Sequence, residues 1–186
     1  MKRVYFGMLA LSVFSLLFSA CSDDEALAKK LVIDGETIKL SQGFIQGLGA
    51  NQDENGDLVS MYVTALTTSG LTIEDGGPVG EGSVIFMQLV SPTSLQLASG
   101  TYTINDEESF VKNMAMSFVM KNYNATSDEA EESYQAVSGT IKISKSGSTY
   151  KITFNMVMSD VDLNEIVVKG SYEGKLTETV FYSGNT

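Results

Sequence analysis

The sequence predicts an all-β domain, an antiparallel β-sandwich of about ten strands, with a closed β-barrel as the alternative. Three observations carry that expectation. Apolar residues alternate with polar ones over many short stretches, the pattern of a half-buried strand. Turn-forming pairs such as Asp34-Gly35, Asn55-Gly56 and Ser146-Gly147 separate those stretches. No stretch keeps a helical period beyond about two turns, which excludes a sheet built from strand-helix-strand units.

Taken in order, Leu31 to Leu40 is a hairpin around Asp34-Gly35, Gly43 to Ala50 is extended and glycine-spaced, and Asn51 to Asp57 is a polar turn. Leu58 to Thr67 sets Val59, Met61, Val63 and Ala65 against Ser60, Tyr62 and Thr64, so it is a strand, which Leu71-Thr72-Ile73 extends past a bend at Gly70. Glu74 to Gly82, with four glycines and Pro78, reads as a loop. Ser83 to Ser91 is apolar on both faces apart from Gln88, which places it centrally in its sheet, and Pro92 ends it. Leu95-Gln96-Leu97 and Gly100 to Ile104 are short strands, and Asp106 is placed to cap one helical turn over Asp106-Glu107-Glu108.

Phe110, Met114 and Phe118 fit a helical spacing, but Met114, Met116, Phe118 and Met120 alternate, which favours a strand from Met114 to Asn124. That strand forms a hairpin across the acidic loop Ser127 to Ser133. Ser138 to Ser144, the turn Ser146-Gly147 and Thr149 to Met158 make a second hairpin with Tyr150, Ile152, Phe154, Met156 and Met158 on one face. Asp160 to Asn164 turns the chain, Ile166 to Tyr172 returns it, and Leu176 to Tyr182 closes the fold. Closed, such a set of strands makes a lipocalin-like barrel.

Ahead of the domain, Lys2 and Arg3 precede a nearly unbroken apolar run from Val4 to Leu17, the layout of a secretory signal. A membrane span needs about 20 apolar residues, and this run ends in small residues and acids instead. Ser19-Ala20-Cys21, with Phe18 where Leu is usual, resembles the lipobox of bacterial lipoproteins. The resemblance implies a diacylglyceryl thioether on Cys21, cleavage before it, and attachment to the membrane through lipid. Cys21 is the only cysteine and precedes every core strand, so a buried structural thiol is the weaker account of it. Ser22-Asp23-Asp24-Glu25 resembles the acidic export signal of surface-exposed lipoproteins in Bacteroidota-type bacteria, which implies the outer membrane with the domain facing the exterior. A plain solvated acidic tether is the alternative. Residues 1–20 are therefore read as signal peptide, 21–30 as acylated tether and 31–186 as one β-rich domain. Ser138-Gly139-Thr140-Ile141, Tyr150 to Phe154 and Gly170 to Gly174 resemble the small β-rich lipoproteins common in Bacteroidota, which implies a location and a fold class but no activity.

Composition removes several functions. Residues 21–186 contain no Arg, His or Trp, so there is no serine–histidine triad, no imidazole metal ligand and no planar fork for bidentate phosphate or carboxylate binding. Ten basic side chains remain against 23 acidic ones, a formal charge near −13 that repels nucleic acid as a partner. The seven methionines of this span sit mainly on alternating strand faces and read as core.

Few residues point to chemistry. Asn51, Asp53, Asn55 and Asp57 alternate ahead of and around Gly56, the opening half of a calcium loop, yet Tyr62 stands where the bidentate Glu belongs, and an Asn-Gly turn accounts for the same residues. Paired acids at Glu74-Asp75, Asp106 to Glu108, Asp128 to Glu132 and Asp160 with Asp162 are the only material for a carboxylate-based hydrolase. Tyr62, Tyr102, Tyr123, Tyr134, Tyr172 and Tyr182 are polar aromatic handles for stacking on sugar rings, or half-buried strand tyrosines. The expectation is a non-catalytic binding or structural module, needing no cofactor beyond the lipid on Cys21, with a glycan or another envelope protein as partner. A barrel enclosing a small apolar ligand is the alternative.

Overall fold

The computed structural model describes residues 29–74, 76–93, 95–105 and 110–181. The leader, Cys21, Ser22 to Glu25, Asp75, the turn expected at Asp106-Glu107-Glu108 and Tyr182 lie outside the described residues. The strands are β1 Lys30–Ile33, β2 Glu36–Lys39, β3 Gln42–Gln52, β4 Leu58–Thr67, β5 Leu71–Glu74, β6 Gly77–Ser91, β7 Gly100–Ile104, β8 Met114–Asn124, β9 Glu132–Ser146, β10 Thr149–Ser159, β11 Glu165–Gly174 and β12 Thr177–Glu178. The domain is all-β, as expected. Its strands follow one hydrogen-bonded path, β12-β3-β4-β6-β8-β7-β9-β10-β11-β1-β2, with β5 added beside β6. The path is an open sheet that curls into a half-barrel.

Pairing is antiparallel except at two places. β7 runs parallel to β8 through Thr103↔Met114 and Ile104↔Ala115, and β12 runs parallel to β3 through Thr177↔Phe44 and Glu178↔Ile45. Register shifts between Gly47 and Gly49, Gly82 and Val84, and Val157 and Met158 tighten the local twist that the curl requires. Close backbone approach does the rest. A Cβ at Gly170 would stand 2.1 Å from the Lys30 carbonyl oxygen and 2.7 Å from the Phe154 ring. A Cβ at Gly43 would stand 2.6 Å from Leu176 Cδ2 and 2.9 Å from the Tyr172 ring, where the start of β3 faces the end of β11.

The concave face holds one continuous core. Leu31, Ile45, Leu66, Met87, Tyr102, Val119, Ile141, Phe154, Met156 and Tyr172 bury against each other from nine strands of the path. The convex face is covered only in places. Phe44, Val63, Ala65 and Phe86 lie under Leu71 and Ile73 of β5 and under Phe181, while Val59, Val90 and Met114 lie under Phe110 and Val111.

Several expectations change. Gly77 to Gly82 is strand, not loop, because it pairs with β5 from Gly77↔Glu74 to Gly80↔Leu71. Leu95-Gln96-Leu97 is loop, since its chain is held by Ser91 and Thr93 hydroxyls and not by a partner strand. Leu176 to Tyr182 yields only the two-residue β12, laid parallel on β3. In β4 the residues of the Tyr62, Thr64 and Leu66 parity face the core while Val63 and Ala65 face outward, so both sides are buried.

The β1–β2 hairpin turns at Asp34 (φ 45°) and Gly35 (φ 84°), the left-handed pair that suits a two-residue turn. It lies at one end of the path, yet Glu36 Oε2 stands 2.9 Å from Lys121 Nζ in mid-path β8. Lys121 also meets Glu132 Oε1 at 3.1 Å, and its side chain is only 13% exposed. Curling brings these three together, and the pair fastens the hairpin across that end of the core. The Tyr134 hydroxyl and then the Lys121 ammonium hold the Glu132 carboxyl below the usual glutamate range. Burial, followed by Glu132, pushes the Tyr134 phenol up to about 12. A depressed carboxyl stabilises the fold above its unfolded value and loses that contribution as pH falls through the folded one. Unfolding midpoints in urea at about pH 7 and about pH 3 should therefore drop more for the wild type than for Glu132→Gln, which starts lower at neutral pH. Parallel drops in the two proteins would remove the Glu132–Lys121 pair as a stabilising contact.

Candidate functional site

A wide opening lies at the end of the curl that carries the β9–β10 turn. Gly147 (φ 59°) makes that turn, and the register it sets puts Lys145 directly opposite Tyr150. Parity then decides the face. Ile141, Ile143 and Ile152 point into the core, so Lys145 and Tyr150 continue the same face up to the rim. The Lys145 ammonium lies over the Tyr150 ring, 5.0 Å from its centroid.

Tyr62 on β4 packs against the core from the other side, beyond Gly47 of β3. Burial pushes its phenol up, the neighbouring Tyr150 adds to that, and Lys145 offsets part of it. Tyr102 is wholly buried within the core, its hydroxyl donating to the Ala98 carbonyl at 2.8 Å, and burial raises its phenol too.

Two irregular segments complete the walls. The 92–99 loop is pinned from inside: the Ser91 hydroxyl donates to the Gln96 carbonyl at 2.9 Å and accepts from the Ala98 amide at 3.1 Å. Leu97 is buried beneath it while Leu95 is 91% exposed at the rim. Opposite, the Thr179 amide donates to the Ile45 carbonyl at 3.0 Å, and the Phe181 amide donates to Gln46 Oε1 at 2.7 Å. Together these segments enclose an open mouth of about 1010 Å³. Its lining mixes apolar Ile45, Leu97, Leu176 and Val180 with Gln46, Gln96, Ser148, Thr179, Glu178 and Lys145 around the two tyrosines. A surface of this kind suits a ligand with both apolar faces and hydroxyl or charged groups.

A smaller depression of about 330 Å³ lies on the convex face between Leu48, Val63, Phe86, Gln88, Met116 and Phe118. Phe118 stacks on Phe86 with ring centroids 4.7 Å apart, and Leu48, Met116 and Phe118 remain exposed.

The acidic candidates go elsewhere. Asn51, Asp53, Asn55 and Asp57 share the β3–β4 turn, where Asp53 Oδ1 accepts the amides of Asn55 at 2.9 Å and Asp57 at 2.8 Å. Burial acts to raise the Asp53 carboxyl, but those amides outweigh it and leave it below the usual aspartate range. Its Oδ2 is buried without a hydrogen-bond partner. Asp57 Oδ2 faces the Lys112 ammonium at 2.6 Å, and Asn51 Oδ1 accepts the Gln52 amide. An ammonium at the oxygen a calcium ion would need is a poor fit to a cation site. The same turn recurs at the β10–β11 connection, where Asp160 Oδ1 accepts the amides of Asp162 at 2.9 Å and Asn164 at 2.8 Å. Gly56 and Leu163 hold matching left-handed positions in the two turns, at φ 82° and 65°. Among the described residues no group of three or more carboxylates and thiols is arranged to hold a metal ion.

Asp128 accepts from the Tyr123 hydroxyl, Glu131 from Asn122 Nδ2, and Glu132 from Lys121, so this acidic group is spent on its own hairpin. Among the described residues Glu178 is the one carboxylate lining the mouth. Of the five expected tyrosines among the described residues only Tyr62 lines it; Tyr123 and Tyr134 serve the β8–β9 hairpin, and Tyr172 donates to the Lys175 carbonyl at 3.0 Å. Tyr150 and Lys145 complete the mouth, and the signal for both was parity with Ile141 and Ile152 across the Ser146-Gly147 turn. Compared with known proteins, the chain matches no family model, no curated protein and no solved structure.

Proposed function

We propose that this chain is a lipid-anchored lipoprotein of the outer membrane, displayed toward the exterior, whose domain binds a glycan at the mouth without catalysing its cleavage. The observation that carries the binding reading is the open mouth of about 1010 Å³ with Tyr62 and Tyr150 among hydroxyl and amide side chains. Sugars offer C–H faces to aromatic rings and hydroxyls to amides and carboxylates, and this lining supplies both. A single carboxylate in the mouth among the described residues supports a non-catalytic reading, because glycoside hydrolysis uses two. The anchor rests on the apolar leader and the lipobox resemblance at Ser19-Ala20-Cys21, and the outward display on the acidic stretch Ser22-Asp23-Asp24-Glu25 that follows.

Between sandwich and barrel, an open barrel is the better reading. All strands of the path share one hydrogen-bonded order, and one core draws on nine of them, whereas a sandwich separates two sheets. A second function, capture of a small apolar ligand, is favoured by the bare Leu95 at the rim and by Leu176 and Val180 in the wall. The filled interior confines such a ligand to the mouth.

Two experiments test this reading. The full chain in detergent, screened against oligosaccharides and fatty acids, should bind an oligosaccharide. Replacing Tyr62 and Tyr150 together by Ala should weaken that binding about tenfold or more, with folding checked by circular dichroism. Binding of fatty acids alone would replace the glycan reading with the apolar one. In cells, Cys21→Ala should release a folded chain from the outer membrane, and a variant that stays with the outer membrane would contradict the lipid anchor.

A further inference from the structure

Lys145 shares with most of the described lysines the lack of a carboxylate partner, and its position is what sets it apart. Lys112 and Lys121 meet carboxylates at 2.6 to 3.1 Å, whereas among the described residues no carboxylate lies within ion-pairing distance of Lys145. The register with Tyr150 places Lys145 on the concave side of the sheet, at the rim, over an aromatic ring and not over an acid. Among the described residues it is the one cation lining the mouth. Glu178 lines the same mouth from β12 without pairing to it. A cation on a ring face and a carboxylate away from it are two separate polar contacts left for a ligand.

Resting on the glycan reading above, we infer that the mouth selects saccharides that carry a carboxylate, such as uronic acids. Lys145 pairs with the sugar carboxylate, Tyr62 and Tyr150 stack on the ring, and Glu178, Gln96 and Ser148 meet its hydroxyls. The negative charge of the protein as a whole does not prevent this, because at physiological salt it is screened beyond about 8 Å and the ligand answers to the charges of the mouth itself. A carboxylate on an ammonium gives a charge-assisted hydrogen bond about twice as strong as a neutral one, so an acidic sugar gains over its neutral counterpart. An acidic peptide would share the charge but not the hydroxyls or the flat C–H faces that two tyrosines favour.

The test is a calorimetric titration of the full chain in a neutral detergent with trigalacturonate, its methyl ester, and a triaspartate peptide. Trigalacturonate should bind about tenfold more tightly than the ester, and the difference should shrink as salt rises. Lys145→Met should abolish the preference while leaving ester binding in place, and Lys145→Arg should keep it. Thermal unfolding of both variants, which alter an exposed side chain, should match the wild type. Equal binding of acid and ester, a preference that survives Lys145→Met, or tighter binding of triaspartate would each overturn the inference while a bound ester leaves the glycan reading standing. No binding of any saccharide would overturn both.

Discussion

The concave face of the curled sheet is apolar from β1 to β11, and keeping it from water is the constraint on which the other features depend. Tyr102, Ile141, Ile152 and Met156 are within about one per cent of complete burial there. Each such side chain contributes about 1.5–3 kcal/mol, against under about 1 kcal/mol for an exposed ion pair, so the core and not the charges sets the curl. The glycines follow from it. Gly170 lets β1 approach Phe154, and Gly43 lets the two flanks of the path meet beside Tyr172. One end of the core lies under the β1–β2 hairpin, fastened by Lys121. The other end keeps an open mouth, above Tyr102.

That arrangement explains where polar groups go. Inward-facing positions deep in the sheet are apolar or carry small hydroxyls satisfied by carbonyls, as Ser117 is by Phe86 at 2.8 Å. At the rim the inward parity carries Tyr62, Tyr150 and Lys145. The acids, numerous as they are, organise turns. Asp53 and Asp160 do the same work in two connections, one with Gly56 and one with Leu163 at the left-handed position.

Legibility in the sequence tracked how local each determinant is. β4, β8 and β10 were readable to within a residue because alternation along a strand is a local signal, and the doubly apolar Ser83 to Ser91 was correctly central, between β4 and β8. Gly77 to Gly82 was not, because its strand character comes from pairing with β5 and glycine composition points the other way. β12 depends on a parallel partner more than a hundred residues earlier, which no local pattern announces. At the mouth, Tyr62 was visible only as one tyrosine among several. Lys145 was hidden because a lysine on an inward parity looks like a solvated hairpin residue until the curl shows that the inward face ends in an opening. The Asn51 to Asp57 run shows the converse: a motif legible in sequence whose side chains are taken by the turn and by Lys112.

The central claim is that ligand meets the protein at the open end of a filled half-barrel. Amide chemical shifts followed during titration with an acidic oligosaccharide test it most directly. The account predicts shifts clustered at 45–47, 95–97, 145–150 and 176–180, with 86–88 and 116–118 unmoved. Shifts confined to the convex depression around Phe86 and Phe118 would contradict it.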